Sequence, residues 1–177
     1  MGKSRKRDAR VSMRDGAIVE KNPTINDVRS LYSILKNLYE EKVKTPLFPL
    51  EFFEKLYVTS FGKFLIVKYN DEIVGGTIVV SDDDVVYEWF ACGKDGVYKN
   101  IFPSTLATYS GIYFALENGQ KRFDMMGAGA PNDGGYGVRD FKAKFGGQLV
   151  EYGRFLCVCK PLLYQIGKMG VWLLKHK

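Results

Sequence analysis

The sequence predicts an α/β protein with one central, mixed, twisted sheet and helices on both of its faces. Residues 63–92 hold three apolar runs joined by short polar turns, which is typical of an antiparallel meander. Apolar positions with helical spacing precede and follow the meander. A further strand at residues 122–126 comes after a long helix, and this crossover predicts that it runs parallel to the third meander strand as its neighbour.

Individual elements have their own signals in the sequence. Thr24 and Asp27 form a capping-box pattern that begins the first helix. Pro103 suits the first turn of the long helix, whose expected buried face includes Leu106 and Leu116. The predicted elements in chain order are strand 17–20, helices 24–43 and 49–60, strands 63–69, 73–81 and 85–92, helix 103–118, strand 122–126, a short helix up to residue 145, strand 148–159 and helix 161–175.

The rest of the chain is organised around residues 122–147, RFDMMGAGAPNDGGYGVRDFKAKFGG. Five glycines with Pro-Asn-Asp among them predict a loop. Val138, Phe141 and Phe145 recur at spacings of three and four and predict a short helix, which the pair Gly146-Gly147 ends. A loop at a strand end that opens onto a helix is a common place for ligands in α/β proteins.

The last part of the chain is predicted to complete the sheet and its helical cover. Residues 148–159 are rich in Leu, Val, Tyr and Phe, which favours a long strand. Residues 161–175 have an amphipathic pattern that predicts a closing helix. The side chains expected to face inward are Leu162, Ile166, Met169 and Leu173.

Length and charge predict one domain with a basic end. The chain has 177 residues, of which 46% are hydrophobic, and a net charge of +6 that is concentrated in residues 1–14. We expect this tail to be solvated and partly disordered, or to be the remnant of a longer chain, and residues 15–177 to form a single domain. A basic tail also fits an anionic partner such as tRNA or a membrane surface.

Several site classes find no support in the sequence. There are three cysteines without a Cys-x-x-Cys pair and one histidine, His176, so no metal site is predicted. Cys157 and Cys159 are expected to be reduced apolar side chains. Lysines and a proline interrupt the apolar residues 155–174, so no membrane span is expected. These features predict a cytoplasmic protein, or one at the inner membrane surface.

The element order, a meander followed by helix, strand, helix and strand, resembles the GNAT N-acyltransferase fold. Within that order, three features resemble the FemABX branch of the fold: Phe123-Asp124, the glycine loop, and the run Phe141-Lys142-x-x-Phe145-Gly146. That branch comprises the peptidoglycan bridge-forming aminoacyltransferases and the related FemAB-like acyltransferase domains. The resemblance extends from about residue 20 to residue 160 and implies a GNAT-like sheet.

The resemblance implies transfer of an acyl or aminoacyl group onto an amine. Bridge-forming members take the group from aminoacyl-tRNA and transfer it to a peptidoglycan precursor, whereas other GNAT proteins use acyl-CoA. Because bridge-forming members carry two GNAT-like units, a second GNAT-like domain is a further expected partner. The acyl-CoA phosphate signature R/Q-x-x-G-x-G/A is absent, since residues 93–100 read GKDGVYKN where it should stand.

Three residues are predicted to carry the chemistry. Acyl transfer to an amine needs deprotonation of the nucleophile and stabilisation of a tetrahedral oxyanion. The resemblance implies that Lys142 lies near the transferred carbonyl and stabilises the oxyanion; the alternative is a solvated lysine. Glu88 is the first general-base candidate and Asp124 the second. The alternatives are a salt-bridged or solvent-facing Glu88 and an Asp124 that caps loop amides.

The position of Glu88 in its strand supports its selection. Side chains alternate along a strand, so Glu88 is predicted to share a face with Val86, Phe90 and Cys92. A carboxylate on an apolar face is costly unless it is paired or poised for proton transfer.

Five residues are predicted to contact substrate. Phe141 is expected to anchor its helix and also line the pocket, and Arg139 to hold a phosphate or carboxylate. The loop glycines Gly127 and Gly129 are expected to offer backbone N–H groups to a phosphate, unless the loop is only a surface lid. Tyr136 is expected to supply a proton or stack on a base.

Three functions therefore remain open at this point. The first is a FemAB-like N-acyltransferase or aminoacyltransferase in peptidoglycan or cell-envelope synthesis. The second is an acyl-CoA-dependent transferase acting on a small amine or sugar. The third is a non-catalytic half of a two-domain enzyme that binds tRNA or a cell-wall precursor.

Overall fold

The computed structural model describes residues 1–129, 137–153 and 155–175. From residue 15 to residue 146, helices and strands follow one another in the order that the sequence predicts. The elements are α1 (Lys3–Arg14), β1 (Ile18–Glu20), α2 (Ile25–Leu38), a π-helical turn (Tyr39–Val43), α3 (Leu50–Tyr57), β2 (Gly62–Tyr69), β3 (Glu72–Ser81), β4 (Val85–Gly93), α4 (Pro103–Glu117), β5 (Arg122–Asp124), α5 (Gly137–Ala143) and α6 (Pro161–Lys175).

In the described part of the chain, five strands form one mixed sheet in the order β1-β2-β3-β4-β5. Strands β2, β3 and β4 form the predicted antiparallel meander, and β1 adds to β2 antiparallel. β5 pairs parallel to β4, with Val85 opposite Arg122 and Tyr87 opposite Asp124. The crossover through α4 was predicted to give this parallel pair, and the prediction is confirmed.

Helices cover both faces of the sheet. α2 and α3 bury Leu31, Leu35 and Phe53 against β2, β3 and β4 on one face. The start of α2 is fixed as predicted, because Thr24 and Asp27 form the complete capping box. The other face is covered by α4, and the remaining core clusters, around Leu106 and Val79, lie there.

Residues 1–14 are not a solvated or disordered tail, so that prediction is wrong. They form α1, which packs against α4 with Ala9 and Ser12 fully buried. Ser12 Oγ accepts a hydrogen bond from the backbone N–H of Phe102 at 2.9 Å, just before α4. The buried face of α1 is made of small and polar side chains, so the apolar periodicity that usually indicates packing is missing.

The buried face of α4 is also different from the predicted one. Leu106 is buried, but Leu116 is 69% exposed. Small residues face the sheet instead, and at Gly111 a Cβ atom would come within 3.0 Å of the Phe123 ring. α4 lies between the sheet and α1. Its small side chains allow the helix axis to come close to the sheet, and they fill the space between the two.

The predicted strand 148–159 and the predicted burial of α6 are both wrong. The described residues between 148 and 159 form neither helix nor strand, and their side chains are exposed. α6 forms as predicted, but Leu162, Ile166, Met169 and Leu173 are 58–76% exposed. No helix among the described residues is long and apolar enough to cross a membrane.

Candidate active site

A bulge in β4 turns Glu88 toward the α4 side of the sheet. The register with β3 shifts between Ile78 and Val79, so that Ile78 pairs with Phe90 and Val79 with Glu88. Trp89 is therefore the extra residue, and alternation reverses across it.

The prediction that Val86, Glu88, Phe90 and Cys92 share one face is consequently wrong. Val86 packs with Val79 and Ala115 on the α4 side. Phe90 contacts the ring of Phe53 on the α3 side, with ring centroids 5.1 Å apart.

Glu88 is buried in a pocket of threonine hydroxyls. Its side chain is 5% exposed, and Thr77 Oγ1 donates to its Oε1 at 3.2 Å. Burial raises the pKa of the Glu88 carboxyl, while Thr108, the charge of Lys142 and Thr77 act in the opposite direction. Thr108 Oγ1 is also buried, and among the described residues it makes no hydrogen bond of normal length and angle. A buried carboxyl with a raised pKa is typical of a general base.

The two parallel strands separate directly beside Glu88. Their pairing ends at Tyr87 and Asp124, whereas β4 continues to Gly93. Beyond that point residues 125–129, the described start of the glycine loop, do not pair with β4. We call the space between these residues and the part of β4 after Tyr87 the gap. A gap where parallel strands diverge is a usual place for ligands in α/β sheets.

Lys142 extends from α5 into this gap. Its Nζ donates to the backbone oxygens of Met125 and Gly127, the latter at 2.8 Å. Partial burial lowers the pKa of the Lys142 ammonium, and the charges of Glu88 and Asp124 oppose that shift. Among the described residues no direct ion pair joins Lys142 to either carboxylate, so their charges interact across the gap.

Asp124, the last residue of β5, forms the turn into the loop. Its Oδ1 accepts a hydrogen bond from Met126 N–H at 2.7 Å, and Met126 has a φ of 60°. This contact is the loop-capping role that was the alternative to catalysis. The negative charge of Asp124 also acts on the Lys142 ammonium and opposes the lowering of its pKa. The Asp124 carboxylate therefore both fixes the start of the loop and contributes negative charge to the site.

The loop and α5 bring the remaining predicted residues near this gap. Gly127 accepts from Lys142, and Gly129 has a φ of 77° that favours glycine. Arg139 Nε donates to the backbone oxygen of Ala128 at 3.1 Å, so this arginine holds the loop. Tyr136 lies outside the described residues.

The position of α5 depends on α1, which the sequence did not predict to take part in the site. The Arg5 guanidinium carbon lies 4.4 Å from the ring centre of Phe141 and 5.5 Å from that of Phe145. Arg5 also donates to Thr105 Oγ1 in α4 at 2.9 Å. Gly2 N–H donates to the Phe145 oxygen at 3.1 Å. Phe145 is buried and Phe141 half-buried, so this pair anchors α5 against α1.

The arrangement provides a proton acceptor and a cation on two sides of one gap. No group of three or more His, Cys, Asp or Glu residues in the described ranges has the geometry of a metal site. An ammonium near a buried carboxylate can stabilise an oxyanion, while the carboxylate accepts a proton.

A family model described as the FemAB family matches residues 54–169 of the chain. A search of curated proteins found no match. Among solved structures, an aminoglycoside acetyltransferase from an uncultured soil metagenomic sample, in complex with sisomicin, matches with 14% identity and a TM-score of 0.61. That match covers 84% of this chain and 99% of the other.

Two further solved structures are similar. The ribosomal-protein-alanine N-acetyltransferase of Brucella melitensis matches with 11% identity and a TM-score of 0.59, covering 81% of this chain and 99% of that one. A predicted acetyltransferase of Clostridium acetobutylicum, with acetyl-CoA, matches with 15% identity and a TM-score of 0.60, covering 80% and 96%. These similarities confirm the predicted GNAT-like fold.

Proposed function

The chain belongs to the FemAB family and is an acyltransferase, and we propose that it transfers an acyl or aminoacyl group to an amine in the gap between β4 and β5. The observation that carries this proposal is geometric: buried Glu88 directly follows the end of the β4–β5 pairing, and half-buried Lys142 donates to the backbone oxygens of Met125 and Gly127 directly after β5. Acyl transfer needs both a base and a cation, and their charges interact where the two strands separate.

In this reaction the amine nitrogen attacks the acyl carbonyl, and Glu88 accepts the proton that the nitrogen loses. Negative charge then develops on the carbonyl oxygen. The tetrahedral intermediate collapses when the bond from the acyl carbon to the donor oxygen (tRNA ester) or sulfur (CoA thioester) breaks, and the leaving hydroxyl or thiol takes up the proton that Glu88 had accepted. An ammonium has three N–H donors, and Lys142 uses two of them on Met125 and Gly127. The third is available for the oxyanion, and the two carbonyls hold the ammonium in place before substrate binds.

The N-terminus of α4 favours aminoacyl-tRNA over acyl-CoA as donor. A helix N-terminus binds the phosphates of a ligand through its free N–H groups. Here Asp95 Oδ1 already accepts from the Ser104 N–H at 3.1 Å, and Pro103 has no N–H to offer. A negative carboxylate at this position repels a pyrophosphate, in agreement with the missing acyl-CoA signature.

The exposed face of α1 supports a tRNA donor. Lys3, Lys6, Arg7 and Arg10 recur with helical spacing and line a shallow surface groove of about 300 Å³. Such a row of cations is suited to the phosphates of a nucleic acid. Because α1 also anchors α5, a tRNA bound there would lie on an element connected to the candidate active site.

For the acceptor, we propose an amine that reaches the gap from a groove on the other face of β4. This groove has a volume of about 490 Å³, and its lining includes Phe61, Tyr87, Trp89, Asp82 and Met126. Aromatic rings with a carboxylate at the side suit an amine carried on a larger, partly apolar or sugar-like group. A peptidoglycan precursor with a free side-chain amine has this chemistry.

The second candidate is acyl-CoA-dependent transfer to a small amine or amino sugar. The observation that favours it is that similar structures contain CoA or acetyl-CoA, among them an aminoglycoside N-acetyltransferase in complex with CoA. The third is a binding half without catalysis, which the basic face of α1 would also suit.

One assay separates these functions. The protein is incubated with tRNA charged with radiolabelled amino acids, or with acetyl-CoA labelled in its acetyl group, together with a peptidoglycan precursor or an aminoglycoside. We expect label to move from tRNA to the precursor, with no heat of binding when CoA is titrated. Transfer from acetyl-CoA alone would support the second candidate. Salt-sensitive tRNA binding without any transfer would support the third.

A further inference from the structure

The described residues after Phe145 are exposed throughout, unlike the rest of the molecule. From Gly146 to Leu174 every described residue is exposed, whereas Phe145, directly before it, is buried. We call residues 148–175 the arm. Large exposed apolar patches on a protein mark surfaces that bind a partner. The exposed apolar side chains of the arm include Leu149, Val150, Tyr152, Phe155, Leu156, Val158, Leu162, Leu163, Ile166, Met169, Val171, Leu173 and Leu174.

The sheet has an open edge that matches the first half of the arm. β5 is three residues long and comes last in the strand order, so β4 is its only strand neighbour in the described ranges. An edge strand leaves peptide groups on its outer side available for pairing. Residues 148–159 have the Leu, Val, Tyr and Phe content of a strand but pair with no strand among the described residues.

We propose that the arm of one copy of this chain docks on the β5 edge of a second copy, whose own arm docks on the first. Each copy has one arm and one open edge, so a reciprocal exchange uses both and closes with two-fold symmetry. The arm leaves the domain at Gly146 and Gly147, which have φ values of 81° and 109°. Glycine tolerates these angles, and this pair is the hinge from which the arm extends.

The arm is large enough for a stable dimer. Tyr152 and Phe155 are 75% and 101% exposed, and burying an aromatic side chain removes roughly 150–250 Å² from water. With the aliphatic residues added, one arm passes the approximately 800 Å² per partner that is usual for stable interfaces.

The second copy would also complete the candidate active site. Asp124 ends β5, and Lys142 donates to the oxygens of Met125 and Gly127 directly after it. A segment docked along β5 would therefore cover the outer side of the gap. Covering it excludes water, which strengthens the interaction of Lys142 with an oxyanion.

Sedimentation velocity over a range of concentrations tests whether the chain dimerises through the arm. We expect a dimer, and we expect Phe155→Glu to raise its dissociation constant at least about tenfold, because a charge would enter a buried contact. In the separate chain Phe155 is fully exposed, so this substitution leaves the fold intact. The matched control is Val97→Glu, which changes another exposed apolar residue, 62% exposed, away from β5.

Disulfide trapping tests which edge the arm contacts. Cys157 and Cys159 are exposed on the arm, whereas Cys92 is buried with its pKa raised to about 12 and stays unreactive. Arg122→Cys adds a thiol to β5, and mild oxidation should then link two chains. Val97→Cys is the control for random collision and should link them far less.

Two outcomes would overturn the proposal. A monomer at all concentrations whose Arg122→Cys variant forms a disulfide within one chain would show that the arm folds back on its own β5. A monomer that binds anionic lipid vesicles through the arm would show that the arm contacts a membrane instead of a second copy.

Discussion

Helices α1 and α6 lie at the two ends of the described chain, and only α1 packs against the rest of the domain. α1 is polar and strongly basic, yet it buries Ala9 and Ser12 and makes a cation–π contact through Arg5. α6 is much more apolar, yet Leu162 and Leu173 on its apolar face are exposed. This contrast shows that α1 is attached to the domain by close packing of small side chains and a few specific polar contacts. The apolar content of α6 does not by itself attach it.

In the described part of the chain, only α1 of these two helices contacts residues that position the candidate active site. α1 contacts Phe141 and Phe145, and α5, which contains Phe141, carries Lys142 toward Glu88. Substitutions along this connection should change activity, stability or both. Substitutions in α6 should act through a second copy.

The largest effect is expected at Glu88, the proposed proton acceptor. Glu88→Gln keeps the shape but removes the proton acceptor, so kcat/KM should fall by about 10²–10⁴. The deprotonated carboxyl is the active form, and burial raises its pKa, so activity of the unaltered protein should rise with pH above 4.5, the ordinary glutamate value. Initial rates measured against pH check this, and the variant should lose that rise.

Stability provides the control for Glu88→Gln. A carboxyl whose pKa is raised on folding contributes stability below its ordinary pKa and loses it as pH rises through the folded-state pKa. The variant should therefore unfold at a higher temperature than the unaltered protein at pH 8, and show no such gain at pH 4. A variant with full activity would remove Glu88 from the mechanism.

Lys142→Ala is the next largest change, because it removes the cation that α5 brings to the gap. Loss of one oxyanion-stabilising donor should reduce kcat by about 10²–10³. The charge of Lys142 also lowers the pKa of Glu88, so the remaining activity should need a higher pH. Single-turnover rates at several pH values measure both effects. Unchanged rates would show that Lys142 only holds the loop through Met125 and Gly127.

A pair of substitutions compares the two ends directly. Ala9→Leu enlarges a side chain with no exposed surface, so the free energy of unfolding should fall by about 1–3 kcal/mol at any protein concentration. Leu173→Ala removes an exposed side chain, and in dilute protein it should change that free energy by less than about 0.5 kcal/mol. Thermal unfolding at two concentrations checks both. A large effect of Leu173→Ala in dilute monomer would contradict the exposure of α6.

The local signals of this sequence predicted the elements between residues 17 and 146 well, but they missed α1 and predicted a strand at 148–159 that the described residues there do not form. They predicted the surroundings of the elements less well. The capping box at Thr24, the meander and the parallel pairing of β5 follow from short-range patterns and a handedness rule. The bulge at Trp89 carries no composition signal, so the face of Phe90 was predicted wrongly while Glu88 was still selected as a buried carboxyl. The burial of α1 and exposure of α6 depend on which surfaces are available, and one sequence does not give that information.

Arg5→Lys should have the smallest effect of the changes along α1. Lysine keeps the charge but cannot contact both phenylalanine rings and donate to Thr105 with one planar group. Loss of the cation–π contact should lower the free energy of unfolding by about 0.5–2 kcal/mol. If Arg5 positions α5, the activity of the variant should also need a higher pH, since Lys142 would act less on the Glu88 pKa. A stability loss with an unchanged pH profile would show that Arg5 only packs, and that α5 is held in place by Gly2 and Phe145 instead.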